Sequence, residues 1–203
     1  MFSQNEEEIY ILRYFKDYVG TFCSLGESDG QTFSNVRALA LRGWKGVMVE
    51  PIPEAFEKLK ALYKTYKGLY SYNYAISDCN CTKIIRKNIN GVVAGDSGLL
   101  STFHQNGVDR FKRITDFEAI PVRAHHWKTA INKWKIKQFD MFSIDIEDDE
   151  MFVLPDIDLS YTKLIVIEHN GSAEKKTAYL ECTSKYGIDK IIYESGENLI
   201  ITR

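Results

Sequence analysis

Cysteine is scarce in this chain: four in 203 residues, at Cys23, Cys79, Cys81 and Cys182. None has the Cys-x-x-Cys spacing of a zinc site, and a chain of this length buries roughly 70% of its unfolded surface without staples. Cys79 and Cys81 read as exposed thiols around a turn, with a redox or metal pair as the alternative. A reducing, cytoplasmic setting is the expectation. An excess of one charge is missing as well, since 26 Lys and Arg face 28 Asp and Glu for a net charge of -2. That balance argues against a general nucleic-acid binder and against a bulk electrostatic membrane binder. No run approaches the ~18 apolar residues of a spanning helix. Glu6, Glu7 and Glu8 stand where a secretory leader would carry positive charge. Repeats, low-complexity tracts and linkers are also lacking. The expectation is one domain over 1–203, with 82–123 set into it as a cap.

What the chain does have is alternation. Ile9, Leu12, Tyr14 and Phe15 fall at helical spacing between Glu6 and Asp17. Thr21 to Leu25 reads as a buried strand, Gln31 to Leu41 as a helix, and Gly46 to Glu50 as a second strand stopped by Pro51. Pro53 suits the first turn of a helix carrying Phe56, Leu59, Leu62 and Tyr63. A third strand is expected from Leu69 to Ile76. The middle is less regular, with a hairpin expected from Thr82 to Arg86 and Val92-Val93 around Asn90-Gly91. A Gly- and Ser-rich loop covers Gly95 to Gly107, a strand Ala119 to Arg123, and a helix His126 to Lys135.

Alternation then resumes: strands at Phe139 to Ile146 and Leu164 to Ile167, and a helix at Ala173 to Lys185. Strands at Asp189 to Tyr193 and Leu199 to Thr202 close the chain, joined by the hairpin residues Glu194 to Glu197. Strands separated by helices imply a parallel sheet with helices on both faces, and the final hairpin adds an antiparallel strand.

In such a sheet, ligands bind outside the carboxyl ends of the strands. Four segments meet there. Gly26-Glu27-Ser28-Asp29-Gly30 follows the first strand, and its glycines fit a ligand-binding loop or a plain strand-to-helix turn equally. It lacks the Gly-x-Gly-x-x-Gly dinucleotide fingerprint, which disfavours an NAD-dependent oxidoreductase. Glu50, after the second strand, offers a carboxylate to the two hydroxyls of a ribose. Ser77 and Asp78 follow the third, where Asp78 suits an adenine amino group or a turn cap. Asp145 and Glu147 share one face of the fourth, with Asp148, Asp149 and Glu150 behind them. A charge inside an apolar strand is costly, which makes Asp145 a candidate for function, whereas Asp149 and Glu150 suit a helix N-terminus.

Taken in order, these segments resemble the FkbM-type family of S-adenosylmethionine-dependent methyltransferases. The matching stretches are Gly26 to Gly30, Ser34-Asn35, Gly43 to Pro51, Ala75 to Asp78 and Ser97 to Leu99. Ser143 to Glu147, Ile167-Glu168 and Asn198 to Ile200 complete the set, which spans nearly the whole chain. The resemblance implies a class I methyltransferase-like Rossmann sheet and S-adenosylmethionine as cofactor. It also implies O-methylation of a glycan or natural-product hydroxyl. The cofactor site would then comprise Gly26, Glu27, Ser28, Asp29, Gly30, Glu50, Pro51, Ser77, Asp78 and Ser97. The base would be Asp145, with Glu147 and His169 behind it. A metal-assisted variant would draw on Asp145, Glu168, His169 and Asn170, whose oxygen ligands suit Mg²⁺ or Mn²⁺.

Three departures qualify the match. Ser24 replaces the family's usual acidic residue, for which Glu27 or Asp29 could substitute. Asp148 stands where a glycine commonly follows Asp-x-Glu, and Ala124-His125 replaces a common Thr-Leu pair. Ser24 favours the rival reading, a catalytically silent binding module on the same fold. Lys83, Arg86, Lys87, Arg110 and Arg113 would suit an anionic acceptor or simply a solvated surface. His104, His125 and His126 are expected in surface or loop roles.

Overall fold

The computed structural model describes residues 1–88 and 117–203. Seven strands form the main sheet: β1 (Thr21–Leu25), β2 (Lys45–Val49), β3 (Leu69–Tyr72), β7 (Met141–Ile144), β8 (Leu164–Glu168), β9 (Lys190–Glu194) and β10 (Asn198–Thr202). Their spatial order is β3-β2-β1-β7-β8-β10-β9. The first five run parallel, and β10 is antiparallel to both its neighbours. A second sheet of three strands combines β4 (Ala75–Ser77), β6 (Phe117–His126) and β5 (Cys81–Asn88). The expected α/β class and antiparallel terminal hairpin are both present.

The central strands are continuous apolar runs because both of their faces are covered. Cys23, Leu25, Val47, Val49, Phe142, Ile144, Ile165 and Ile167 point to one side. There they pack against residues of α4 (Trp127–Lys133), α5 (Glu150–Val153) and α6 (Ala173–Ser184), among them Trp127, Val153 and Tyr179. Phe22, Met48, Met141, Val166 and Ile200 point to the other. They meet Ile11, Phe15, Leu39 and Leu59 of α1 (Glu7–Phe15), α2 (Arg37–Leu41) and α3 (Pro53–Tyr63). Each fully buried side chain of this size contributes roughly 1.5–3 kcal/mol, so the two-faced core dominates stability. Trp44 locks α1 to β2. Its ring meets Phe15 edge-on at 4.7 Å, and its Nε1 donates to the Tyr18 carbonyl at 3.1 Å.

Several elements differ from expectation, each for a local reason. The helix expected from Gln31 begins only at Arg37, because Asp29 and Ser34 divert the preceding N–H groups into turns. Asp29 Oδ1 accepts from Gln31 and Thr32, and Ser34 Oγ accepts from Arg37. The strand expected from Leu69 to Ile76 is two strands in two sheets. At the break, Asn73 Nδ2 donates to the Glu50 and Pro51 carbonyls at 2.9 and 3.1 Å, so a side chain ends the ladder. The strand expected over Phe139 to Ile146 stops at Ile144, which leaves Asp145 and Glu147 on the following loop rather than on a strand face. Cys79 and Cys81 are joined as a disulfide across Asn80, against the reading of two thiols. The described partner of β5 is β6, antiparallel over Cys81 to Asn88. Val92-Val93 and the Gly95 to Gly107 loop lie outside the described residues.

Candidate functional site

The strand order reverses between β1 and β7, and the loops leaving β1, β2 and β7 converge there. Two of those loops touch through their backbones. Gly26 adopts φ +80°, and a Cβ built on it would lie 1.8 Å from the Asp145 carbonyl oxygen. Only glycine fits both the left-handed backbone and that approach. Its N–H and that of Glu27 both donate to the Val49 carbonyl, at 2.9 and 3.1 Å, and tie the turn to β2. Gly30, also at φ +80°, closes the turn, and its carbonyl accepts from the Tyr63 hydroxyl at 3.0 Å.

Between these loops lies a cleft of ≈ 610 Å³, counted out to the solvent at its mouth. Gly26, Ser28, Glu50 and Pro51 form one wall, and Asp145 and Glu147 stand on the wall that β7 feeds. Ile52, Tyr74, Ile76, Ile85 and Ile146 make an apolar recess. Ile85 comes from β5, so the second sheet contributes to the cleft. Glu50 is only 5% exposed, and its two oxygens are each held by a backbone N–H: Oε2 by Ser28 at 2.9 Å and Oε1 by Ile52 at 2.8 Å. That grip fixes the carboxylate at the cleft wall. Ser28 Oγ and Asn35 Oδ1 are buried with no hydrogen-bond partner among the described residues.

Glu27 lies behind the glycine turn, 4% exposed. Oε2 accepts from Ser24 Oγ and Oε1 from Ser34 Oγ, each at 2.5 Å. Burial pushes its carboxyl up to about 7, against the two serine hydrogen bonds and the nearby Arg37 guanidinium. A carboxylate therefore does sit against Ser24, delivered from three residues further along.

The end of the cleft beyond β7 is acidic. Glu147 and Asp148 both adopt left-handed backbone, at φ +59° and +81°. The conformation at 148 is the one glycine adopts without strain, so the glycine that the resemblance implied here would fit it. Here Asp148 accepts an ion pair from Lys175 Nζ at 2.6 Å, and Lys175 also reaches Glu150 Oε2 at 3.3 Å. Glu150 is fully buried and was missed as a site residue, because its place at a helix start gave it a sufficient structural explanation. Burial raises its carboxyl above the ordinary range. Glu168 is raised well above it, by burial and then by the charges of Asp145, Glu147 and Glu150.

Other expected residues fall elsewhere. Ser77 and Asp78 do not line the cleft. Ser77 Oγ lies 2.6 Å from Asp149 Oδ2, and Lys83 Nζ bridges Asp149 and Asp78 at 2.7 and 3.4 Å. The hydrogen bond from Ser77, with Lys83 nearby, holds the Asp78 carboxyl below its ordinary value. Asp29 is committed to its own turn. His169 is 3% exposed and away from the cleft lining, with Nδ1 accepting from Gly171 at 3.1 Å. Asp145 is not buried, contrary to the reasoning that singled it out. Lys87 pairs with Glu54 at 2.8 Å. His126 caps α4 and pairs with Asp156 at 2.9 Å, and the His125 ring meets Tyr74 edge-on at 4.7 Å. Ser97, His104, Arg110 and Arg113 lie outside the described residues.

Two solved structures share the fold at low sequence identity. The N-terminal domain of human METTL16, in complex with SAH, superposes with a TM-score of 0.50 at 10% identity, over 99% of this chain and 71% of that one. A Pseudomonas syringae protein whose methyltransferase assignment is itself a proposal superposes with a TM-score of 0.50 at 10% identity, over 98% of each chain. No curated protein matches the chain in sequence. A family model, the methyltransferase FkbM domain, matches residues 24–193. With the glycine turn, Glu50 and the acidic β7 loop around one cleft at the strand-order switch, the chain belongs to the FkbM methyltransferase domain family.

Proposed function

We propose that this protein is an S-adenosylmethionine-dependent O-methyltransferase acting on a hydroxyl of a glycan or natural product. The observation that carries the reading is Glu50. Its carboxylate is fixed by two backbone N–H groups at the cleft wall, between a glycine turn and an apolar recess, where the hydroxyls of a ribose would meet it. The residues fit the cofactor part by part. Ile52, Ile76, Ile85 and Ile146 offer the recess a flat base needs, and Glu50 faces where a ribose would attach. Ser28, whose Oγ has no hydrogen-bond partner among the described residues, lines the cleft beside the glycine turn.

The cofactor, when bound, supplies a methyl group on a positively charged sulfur. The chain has to hold the acceptor oxygen in line with that carbon, and orientation alone contributes ~7–11 kcal/mol in favourable cases. It also has to remove the hydroxyl proton, an effect worth ~10²–10⁴-fold. Asp145 is placed for this, as it lines the cleft beside Gly26. Glu147 lines the same wall, whereas His169 lies away from it. Asp145 would take the acceptor's hydroxyl proton, and the cofactor would supply the methyl carbon, the electron pair of the broken bond remaining on its sulfur.

Calorimetry with S-adenosylmethionine, S-adenosylhomocysteine and NAD tests the cofactor, and transfer of labelled methyl to hydroxylated acceptors tests the reaction. Tight binding of the first two without transfer to any acceptor would favour the silent binding module. Binding of NAD alone would remove the proposal.

A further inference from the structure

Methyl transfer as described uses Asp145 alone of the acidic group beyond β7. One ligand oxygen each from Asp145, Glu150 and Glu168 lies within 4.8 Å of the others. They come from three elements: the loop after β7, the start of α5 and the end of β8. Carboxylates at this range repel, most at Glu150, where burial removes the water that would damp the repulsion. Lys175 offsets part of it, closest to Asp148 and more distantly to Glu150. Glu168 Oε2, by contrast, is sealed from solvent and has no hydrogen-bond partner among the described residues. A buried carboxylate oxygen with no hydrogen-bond partner, on a side chain within reach of two other carboxylates, needs either a retained proton or a cation.

We propose that Asp145, Glu150 and Glu168 form a divalent-cation site at the carboxyl edge of β7 and β8, taking Mg²⁺ or Mn²⁺. The donors are all hard oxygens, the ligand type that suits Mg²⁺ and Mn²⁺. The site is largely preformed. Glu150 Oε1 is held by the Ile146 N–H at 2.8 Å, and the Asp145 N–H donates to the Leu25 carbonyl at 3.0 Å. Metal–oxygen bonds of ~2.0–2.1 Å would draw the three oxygens inward by a small side-chain adjustment. The set differs from the one expected from sequence: Glu150 joins it, while Asn170 and His169, whose Nδ1 accepts from the Gly171 N–H, leave it. Three protein ligands leave coordination positions open, and Asp145 also lines the cleft, so the cation would present those positions to an acceptor's oxygens. That last role rests on the methyltransferase reading, but the binding of the ion does not.

The test is Mn²⁺ binding to the full chain, followed by the loss of the free-ion electron paramagnetic resonance signal, with Mg²⁺ as competitor. One Mn²⁺ per chain, displaced by Mg²⁺ and weakened about tenfold or more in Glu168→Gln, is the expected result. Asp145→Asn, at the open edge of the group, gives the same readout should Glu168→Gln not fold by circular dichroism. No binding below about 1 mM, the weak end of oxygen-ligand sites, overturns the proposal. Binding unchanged by either variant also overturns it, by placing the ion elsewhere. S-adenosylhomocysteine calorimetry on the same samples separates the two readings. Cofactor binding without Mn²⁺ binding sinks the cation site alone, and the reverse sinks the cofactor reading alone.

Discussion

Replacing Glu27 with glutamine is expected to stabilise the protein at neutral pH while weakening cofactor binding. Unfolded, Glu27 loses its proton near its ordinary value of 4.5, whereas folded it keeps the proton to about 7. Between those values the native state binds more protons than the unfolded state, so stability falls as pH rises. The gap is about 2.5 units, and at 1.36 kcal/mol per unit it amounts to about 3 kcal/mol by pH 8. Glutamine cannot ionise, so Glu27→Gln removes this slope. The variant should match the parent within about 1 kcal/mol at pH 4, where only a hydrogen bond to Ser24 or Ser34 is altered. It should exceed the parent by about 2–3 kcal/mol at pH 8. Urea unfolding of both proteins at unit steps from pH 4 to 8 measures the difference. S-adenosylhomocysteine affinity should move the opposite way, because the turn loses the charge that Ser24 does not carry, a trade of stability for function. Parallel stability profiles for the two proteins would refute the placement of a buried, titrating carboxyl behind the glycine turn.

Glu50→Ala should lower S-adenosylmethionine affinity more than tenfold with the fold retained, and unchanged calorimetry would remove Glu50 from the site. Gly26→Ala places a methyl against the Asp145 carbonyl and forces a left-handed alanine, costing about 1–2 kcal/mol from the backbone alone. Cofactor binding should be lost with it, and an alanine variant that binds normally would mean the two loops do not meet as described. Asp145→Asn keeps size and hydrogen bonding but removes the charge. Methyl transfer should nearly vanish while S-adenosylhomocysteine binds within a few-fold, a selective loss that reports chemistry. Activity abolished by EDTA and restored by Mg²⁺ or Mn²⁺ assigns Asp145 to the cation, indifference assigns it to base catalysis, and normal turnover shifts the base to Glu147.

Much of the site could be read in the chain wherever one residue's covalent neighbourhood decided its place. Gly26 and Glu50 each end an apolar run, so the run's register delivers them to the carboxyl edge. Asp145 was singled out for a reason that does not hold, since it is neither in the strand nor buried, yet the same run ends one residue before it and leaves it lining the cleft. Asp78 was assigned to the cleft because the strand leading to it looked continuous. Asn73 breaks that strand through a side-chain bond to the far side of a loop, and local pattern cannot show a bond across 23 residues.

Alternation of apolar strands with amphipathic helices, and a turn dipeptide before the last strand, by themselves determined a mostly parallel α/β sheet with an antiparallel end. Those patterns follow from burial on two faces, which acts residue by residue along the chain. Tertiary structure alone decided that a second sheet of β4, β5 and β6 brings Ile85 to the cleft. It alone set Glu150 beside Glu168. Each is a meeting of segments distant in sequence, fixed by packing and by the cost of leaving buried polar atoms unpaired. Neither cost can be computed until the neighbours are known.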